Sequence, residues 1–187
     1  MCTGFPGFAQ RRPSAGFIDD RANGGGNVSP MILERLSREP YRLTMRRGSS
    51  LIGTVPDAVQ VGPKVCLINK YSASDGDLFP WGFRALGLGK LIGTRTWGGI
   101  IGISGPLPYM DGTDIRVPFF TSYDPKTGNW IIENHGVDPD ILIDNDPIKE
   151  WNGEDQQLDR AIEEVMKQLK ERKPLAPVPA PRDWSHK

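Results

Sequence analysis

KVCLINKYSASDGDLFPWGFRALGLGKLIGT, residues 64–94, contains the clearest alternation of strand and helix in the chain. Its first six residues form a continuous apolar run, which is typical of a short strand buried on both faces. A polar turn of small residues follows, and apolar side chains then recur at helical spacing until two glycines end the pattern. A second apolar run begins at Leu91. Strand, helix and strand in this order predict a parallel pair, and therefore an α/β fold.

The flanking segments predict further elements. Ser29 and Pro30 are typical of a helix start, with Ser29 as N-cap and Pro30 at the first position. Residues 155–172 repeat apolar side chains every three or four positions, as an amphipathic helix does. Residues 130–132 predict a short strand, and the glycine-studded run at residues 96–120 predicts a hairpin or an extended loop with Asp111-Gly112 at its turn.

Composition excludes several classes of protein. The chain has 23 basic and 23 acidic residues, so its formal net charge is zero and no nucleic acid or anionic membrane partner is expected. The sequence contains neither an apolar run of membrane-spanning length nor a secretory leader, which makes the cytoplasm the expected compartment. Cys2 and Cys66 are too few for a disulfide framework, and neither has a second ligand at metal-binding spacing. We expect no metal and no cofactor.

Ser74, within the turn YSASDGD at residues 71–77, is a candidate nucleophile. A serine among small residues, between a buried strand and a helix, has the geometry of an activated hydroxyl. The Asp75 N–H and the helix dipole would face an oxyanion at this point. The alternative is structural, because Ser72 or Ser74 could simply be the N-cap of the helix.

A second glycine-rich segment, NGGGNVSP at residues 23–30, also lies between a strand end and a helix. Its backbone N–H groups could bind a phosphate or complete an oxyanion hole. A tight turn that needs glycine conformations is the alternative explanation. The segment lacks the lysine and the glycine spacing of nucleotide-binding loops, so a nucleotide-binding module is the weakest of the functional hypotheses.

A serine nucleophile needs a base, and His135 and His186 are the two histidines in the chain. His135 is interpreted as a surface turn residue, and His186 lies in the C-terminal tail. Glu133 follows the predicted strand and could orient a base, although such glutamates are often simply solvated.

NGGGNVS, residues 71–99 and ENHGVDPD, in this order and at these separations, resemble the C-terminal catalytic domain of tricorn-type peptidases in the tail-specific (S41) protease family. The resemblance covers residues 17–172. It implies a crotonase-like or Clp-protease-like spiral of strands and helices, incomplete at its N-terminal side. Residues 1–16 are then a disordered or non-native leader, and residues 173–187 a disordered proline-rich tail.

The resemblance also implies a cytoplasmic serine peptidase that acts on peptides and is a homo-oligomer when part of the full-length enzyme. Ser74 matches the nucleophile, Gly26 and Asp75 match the oxyanion hole, and Glu133 matches the acid of the catalytic tetrad. Related processing peptidases use a lysine base about 25 positions after the serine, where this chain has Gly99, so a Ser–Lys mechanism is excluded.

Tricorn-type enzymes take their base from a Ser-His pair in a segment far upstream. We find no such segment in this sequence, so we expect the isolated chain to be a truncated and very poor peptidase. The alternative hypothesis is a non-catalytic remnant that retains only packing or assembly surfaces.

Overall fold

The computed structural model describes residues 15–48, 52–103, 107–172 and 178–179. The predicted leader, residues 1–16, lies outside this part except for its last two residues. The predicted tail, residues 173–187, lies outside it except for residues 178–179, and so does His186. The described residues form β1 (Gly16–Asp19), α1 (Ser29–Ser37), β2 (Arg42–Met45), β3 (Ile52–Val55), β4 (Lys64–Ile68), α2 (Asp75–Ala85), β5 (Gly89–Gly93), β6 (Gly102–Ile103), β7 (Leu107–Pro108), β8 (Asp114–Ile115), β9 (Pro118–Phe120), β10 (Ile141–Leu142), α3 (Pro147–Trp151) and α4 (Gln156–Glu171).

A four-stranded parallel sheet, in the order β1-β4-β5-β10, is the centre of the structure. The strands follow one another across the sheet in chain order; α1 lies between β1 and β4 in the chain, α2 between β4 and β5, and the short strands β6 to β9 between β5 and β10. Every residue of β4 is buried, as its continuous apolar sequence predicts. The α/β fold class is confirmed.

Helices cover both faces of this sheet. Alternate residues of a strand point to opposite faces, so the two sets of β4 side chains pack against different helices. Cys66 and Ile68 face α1 and α2, in a cluster whose other buried members are Leu33, Phe79, Phe83, Leu91 and Val137. Val65 and Leu67 face α4, in a cluster whose other buried members are Ile92, Ala161 and Val165. Both faces of the sheet are thus covered. The turn that contains Ser74 follows the carboxyl end of β4.

Two local predictions are confirmed. The helix expected over residues 155–172 is α4, with Asp155 as N-cap and Arg172 as C-cap. Strands β7 and β8 pair antiparallel around Asp111-Gly112, as the hairpin prediction requires.

Two other predictions are wrong. Residues 130–132 form no strand, because the pairing there is a single isolated bridge between Tyr123 and Trp130. Ser29 is not the N-cap of α1; Val28 takes that position and has no side-chain cap. Strands β2, β3 and β10 and the short helix α3 have no counterpart among the predicted elements. None of the helices in the described part of the chain combines the length and the apolar character needed to cross a bilayer.

Candidate active site

Ser74 sits in a strained backbone conformation between β4 and α2, with φ 58° and ψ −113°. Positive φ is rare for residues other than glycine and costs of order 1–3 kcal/mol, so it persists only where the surroundings enforce it. Ser74 occupies the N-cap position of α2. Ser72 is not a helix cap, since its Oγ donates to the carbonyl of Asp20 at 2.8 Å. The turn therefore presents one serine at the amino end of a helix.

Asp77 enforces this conformation. Its carboxylate is fully buried and accepts three backbone N–H groups. Ser74 N donates to Oδ2 at 2.9 Å, Gly99 N donates to Oδ2 at 3.1 Å, and Gly98 N donates to Oδ1 at 2.7 Å. Ser74 N also reaches the Gly99 carbonyl at 3.1 Å. One carboxylate thus fixes the Ser74 turn against the glycine pair at residues 98–99.

Asp75 connects the same turn to α1. Its Oδ2 accepts from Val28 N and Ser29 N, each at 3.1 Å, and Ser29 Oγ donates to its carbonyl at 3.2 Å. The Val28 and Ser29 N–H groups at the start of α1 are therefore satisfied by a carboxylate from α2, and the Ser29 hydroxyl binds the Asp75 carbonyl instead of capping α1. The Asp75 N–H has no partner among the described residues and stands beside Ser74 at the positive end of the helix dipole.

The glycine-rich loop lies against Ser74. Gly25 and Gly26 have φ of 120° and 146°, which side-chain-bearing residues rarely adopt. A Cβ on Gly25 would come within 2.9 Å of Ser74 Cβ and 3.3 Å of its Oγ. The Gly26 N–H has no partner in the part of the chain that the structure describes. Two unpaired backbone donors, one on Gly26 and one on Asp75, therefore belong to the segments that meet at Ser74.

Glu133 lies in a turn, and its Oε2 accepts from Ile100 N at 2.7 Å and Ile101 N at 3.0 Å. This carboxylate holds the residues that directly follow Gly98 and Gly99, so Glu133 and Ser74 are attached to the same loop.

The structure does not bring His135 into this arrangement. The His135 ring nitrogen Nε2 is 2.7 Å from Asp138 Oδ2, and both side chains are more than half exposed. This agrees with the interpretation of His135 as a surface turn residue.

Sequence reasoning missed Asp77 and Asp20. The signal for Asp77 was present, because Ser74 and Asp77 form the S-x-x-D pattern in which the third helical residue binds back to the N-cap backbone. Asp20 is buried at the end of β1, and burial followed by the nearby Asp75 and Asp77 charges raises its pKa to about 7, against an opposing hydrogen bond from Asn23. Nothing in the pattern of residues 16–26 indicates that this aspartate is buried.

Comparison with known proteins identifies the family. Residues 12–143 match the model of peptidase family S41. The chain belongs to this family. It is 41% identical over 156 residues to a tricorn protease of Thermoplasma volcanium. This match covers 83% of this chain and 15% of that protein. A putative tricorn-like protease C-terminal subunit of Sulfurisphaera tokodaii is 41% identical over 155 residues. This match covers 83% of this chain and 18% of that protein.

A crystal structure of the tricorn protease superposes with a TM-score of 0.76 at 39% identity, covering 84% of this chain and 15% of that one. This S41 chain therefore spans about a sixth of the length of the relatives that it matches. The ordered motifs at residues 23–29, 71–99 and 133–140 correctly indicated the family.

Replacing Gly25 by alanine tests how closely the loop approaches Ser74. We expect Gly25→Ala to lower the free energy of unfolding by about 2 kcal/mol, because a Cβ there meets Ser74 and positive φ strains alanine. Gly24→Ala is the matched control, since no atom lies within 4 Å of its Cβ position. Urea denaturation measures both variants, and equal stabilities would contradict the close approach.

Asp77→Asn tests the carboxylate that holds the turn. An amide has one acceptor oxygen, so its NH2 group must face at least one backbone N–H that Asp77 now satisfies. We expect a loss of about 2–3 kcal/mol in the free energy of unfolding. Asp111→Asn makes the same change where an exposed aspartate accepts a backbone N–H in the hairpin, and it should unfold like the wild type. A small effect at Asp77 would show that the three bonds do not hold the turn.

Proposed function

We propose that the chain carries the nucleophile, the oxyanion hole and the acid of a serine-type peptidase that hydrolyses oligopeptides. The strained Ser74 lies beside two backbone donors that have no partner among the described residues, and this observation carries the proposal. Membership of a peptidase family supports the reaction class. The tricorn relatives, which are named as proteases, support peptide substrates for the longer protein.

The proposed first half-reaction forms an acyl-enzyme. Ser74 Oγ attacks the carbonyl carbon of the scissile peptide bond while its proton passes to a base. The carbonyl oxygen becomes an oxyanion and accepts the N–H groups of Gly26 and Asp75, with the α2 dipole adding to the stabilisation. The intermediate collapses, the C–N bond breaks, and the protonated base gives its proton to the departing amine.

Water completes the cycle. The same base takes a proton from water as the water oxygen attacks the acyl carbonyl, and the ester bond to Ser74 Oγ breaks. Ser74 regains its proton, and the new carboxyl terminus leaves. The backbone donors again hold the oxyanion, so preorganisation of the glycine-rich loop serves both half-reactions.

The base in this proposal is a histidine that the described residues do not include, and Glu133 orients it. His135 is not given this role, because its ring pairs with Asp138 in an exposed turn and no hydrogen bond among the described residues joins its side chain to Ser74. Both hydrogen bonds of the Glu133 carboxylate, from Ile100 N and Ile101 N, use Oε2, so Oε1 has no partner among the described residues and is available to an imidazole. Loss of the base in a serine triad lowers turnover on the order of 10⁴ to 10⁶, so the chain alone should hydrolyse peptides very slowly.

Chemical rescue by imidazole tests the proposed nucleophile without the missing base. We expect a fluorophosphonate probe to label the purified chain slowly, and the labelling rate to rise at least about tenfold with added imidazole, because free imidazole replaces the base. Peptide mapping by mass spectrometry should place the adduct on Ser74.

Two variants make this test specific. Ser74→Ala should abolish the imidazole-dependent adduct. Ser37→Ala should keep it, since Ser37 is a helix serine whose Oγ donates to the Glu34 carbonyl. Labelling that survives Ser74→Ala would contradict the assignment, and no labelling at any imidazole concentration would favour a chain that serves only in packing or assembly.

A further inference from the structure

Asp20 is a buried acid at the junction of β1 and the glycine-rich loop. Its side chain is almost wholly removed from solvent. Asn23 Nδ2 donates to Oδ1 at 2.9 Å, whereas Oδ2 is buried without a hydrogen-bond partner among the described residues. The backbone of Asp20 is fixed on both sides, because its N–H donates to the Leu67 carbonyl and its carbonyl accepts from Ser72 Oγ. The main chain that carries the carboxyl group is therefore held in place at the end of β1.

Asn23 links Asp20 to the glycine-rich loop at residues 23–30, here named the oxyanion loop. The Gly25 N–H donates to Asn23 Oδ1 at 3.1 Å. Because an N–H can only donate, the amide oxygen of Asn23 must face Gly25, which leaves its NH2 group for Asp20. The Asn23 carbonyl also accepts from Ala73 N at 2.8 Å, directly before Ser74. One residue, Asn23, thus connects the buried acid to the glycine-rich loop through its side chain and to the turn before Ser74 through its carbonyl.

The charged and titratable groups around Asp20 favour its neutral form. Asp75 and Asp77 face it from α2, Asp19 lies beside it on β1, and the buried Cys66 thiol faces it from β4. The nearby cation, Arg21, is already bound to Asp19 and to Asp155 at the start of α4. Burial first, and then the surrounding carboxylates, raise the pKa of Asp20 to about 7 against the hydrogen bond from Asn23. Asp20 is therefore neutral below this pH and charged above it.

We propose that Asp20 is a positioning residue for the oxyanion loop and that its neutral form is the one that supports catalysis. Through Asn23 it sets the orientation of the Gly25 amide and hence of the loop that carries the Gly26 donor. Ionisation of Asp20 strengthens the hydrogen bond that it accepts from Asn23, and it adds negative potential where the oxyanion must form. The effect on catalysis rests on the proposed peptidase function, whereas the coupling between Asp20 and the loop does not.

An NMR titration of the ¹⁵N-labelled chain tests the coupling directly. We expect the amide signals of Gly25 and Gly26 to shift with a midpoint near pH 7. Asp20→Asn should remove this titration, because the amide cannot ionise. Asp19→Asn, which neutralises the adjacent aspartate, should retain it. Persistence of the same midpoint in Asp20→Asn, or no shift of these amides in the wild type, would overturn the proposal.

A second variant covers the case in which Asp20→Asn does not fold. Asn23→Ala removes the connecting side chain and leaves Asp20 in place. The Asp20 carboxyl carbon should still titrate in this variant, while the Gly25 amide should no longer follow it. A Gly25 amide that still follows Asp20 would overturn the role given to Asn23.

The rate of Ser74 labelling in the presence of imidazole tests the catalytic consequence. The ratio of the Asp20→Asn rate to the wild-type rate should be near one well below pH 7 and rise severalfold well above it, because only the wild type acquires the opposing charge. A merely structural role for Asp20 would give a ratio that does not change with pH, and this result would overturn the catalytic part. Absence of labelling at every pH would contradict the peptidase function, and the Gly25 titration would then decide the positioning role alone.

Discussion

Three backbone N–H groups converge on the buried carboxylate of Asp77, and the geometry of the candidate site depends on this interaction. Hydrogen bonds to a charged acceptor are among the stronger ones in proteins, and a buried carboxylate would be costly without them. They offset the strain at Ser74, whose positive φ would otherwise relax. They also hold the loop at residues 98–101, whose next two amides are bound by Glu133. The proposed nucleophile and the proposed acid are thereby fixed to one segment.

Backbone groups, more than side chains, make up this site. The glycine-rich loop can approach Ser74 because Gly25 has no Cβ, and Asp75 fixes the far end of that loop by accepting two N–H groups at the start of α1. Asp20 and Asn23 fix the near end. Three buried aspartates, Asp20, Asp75 and Asp77, thus surround the place where the proposed oxyanion forms. Asp75 and Asp77 accept backbone N–H groups, whereas burial raises the pKa of Asp20 to about 7 and keeps this carboxyl neutral below that pH.

The sequence predicts those features that depend on local periodicity. The apolar run of β4, the helical spacing of α2 and the amphipathic repeat of α4 each report burial within one short segment, and each appears in the structure with nearly the expected bounds. Ser74 could be singled out because its turn lies between two such elements.

Features that depend on distant segments could not be derived in the same way. Residues 130–132 look like a strand, but their pairing in the described part of the chain is one isolated bridge between Tyr123 and Trp130. The N-cap assignment of Ser29 failed because its hydroxyl donates to the Asp75 carbonyl, 46 positions away in the chain. The burial of Asp20 arises from β4 and α2 packing around the end of β1, which the local sequence does not encode. Glu133 could be proposed from the family resemblance, but its bonds to residues 100–101 required the structure.

A crystal structure of the chain after phosphonylation would show directly whether the two free amides form an oxyanion hole. The proposal requires the phosphorus atom on Ser74 Oγ and its phosphoryl oxygen within hydrogen-bonding distance of both Gly26 N and Asp75 N, with the Asp77 bonds intact. A phosphoryl oxygen directed to solvent, or an adduct on a different residue, would contradict it.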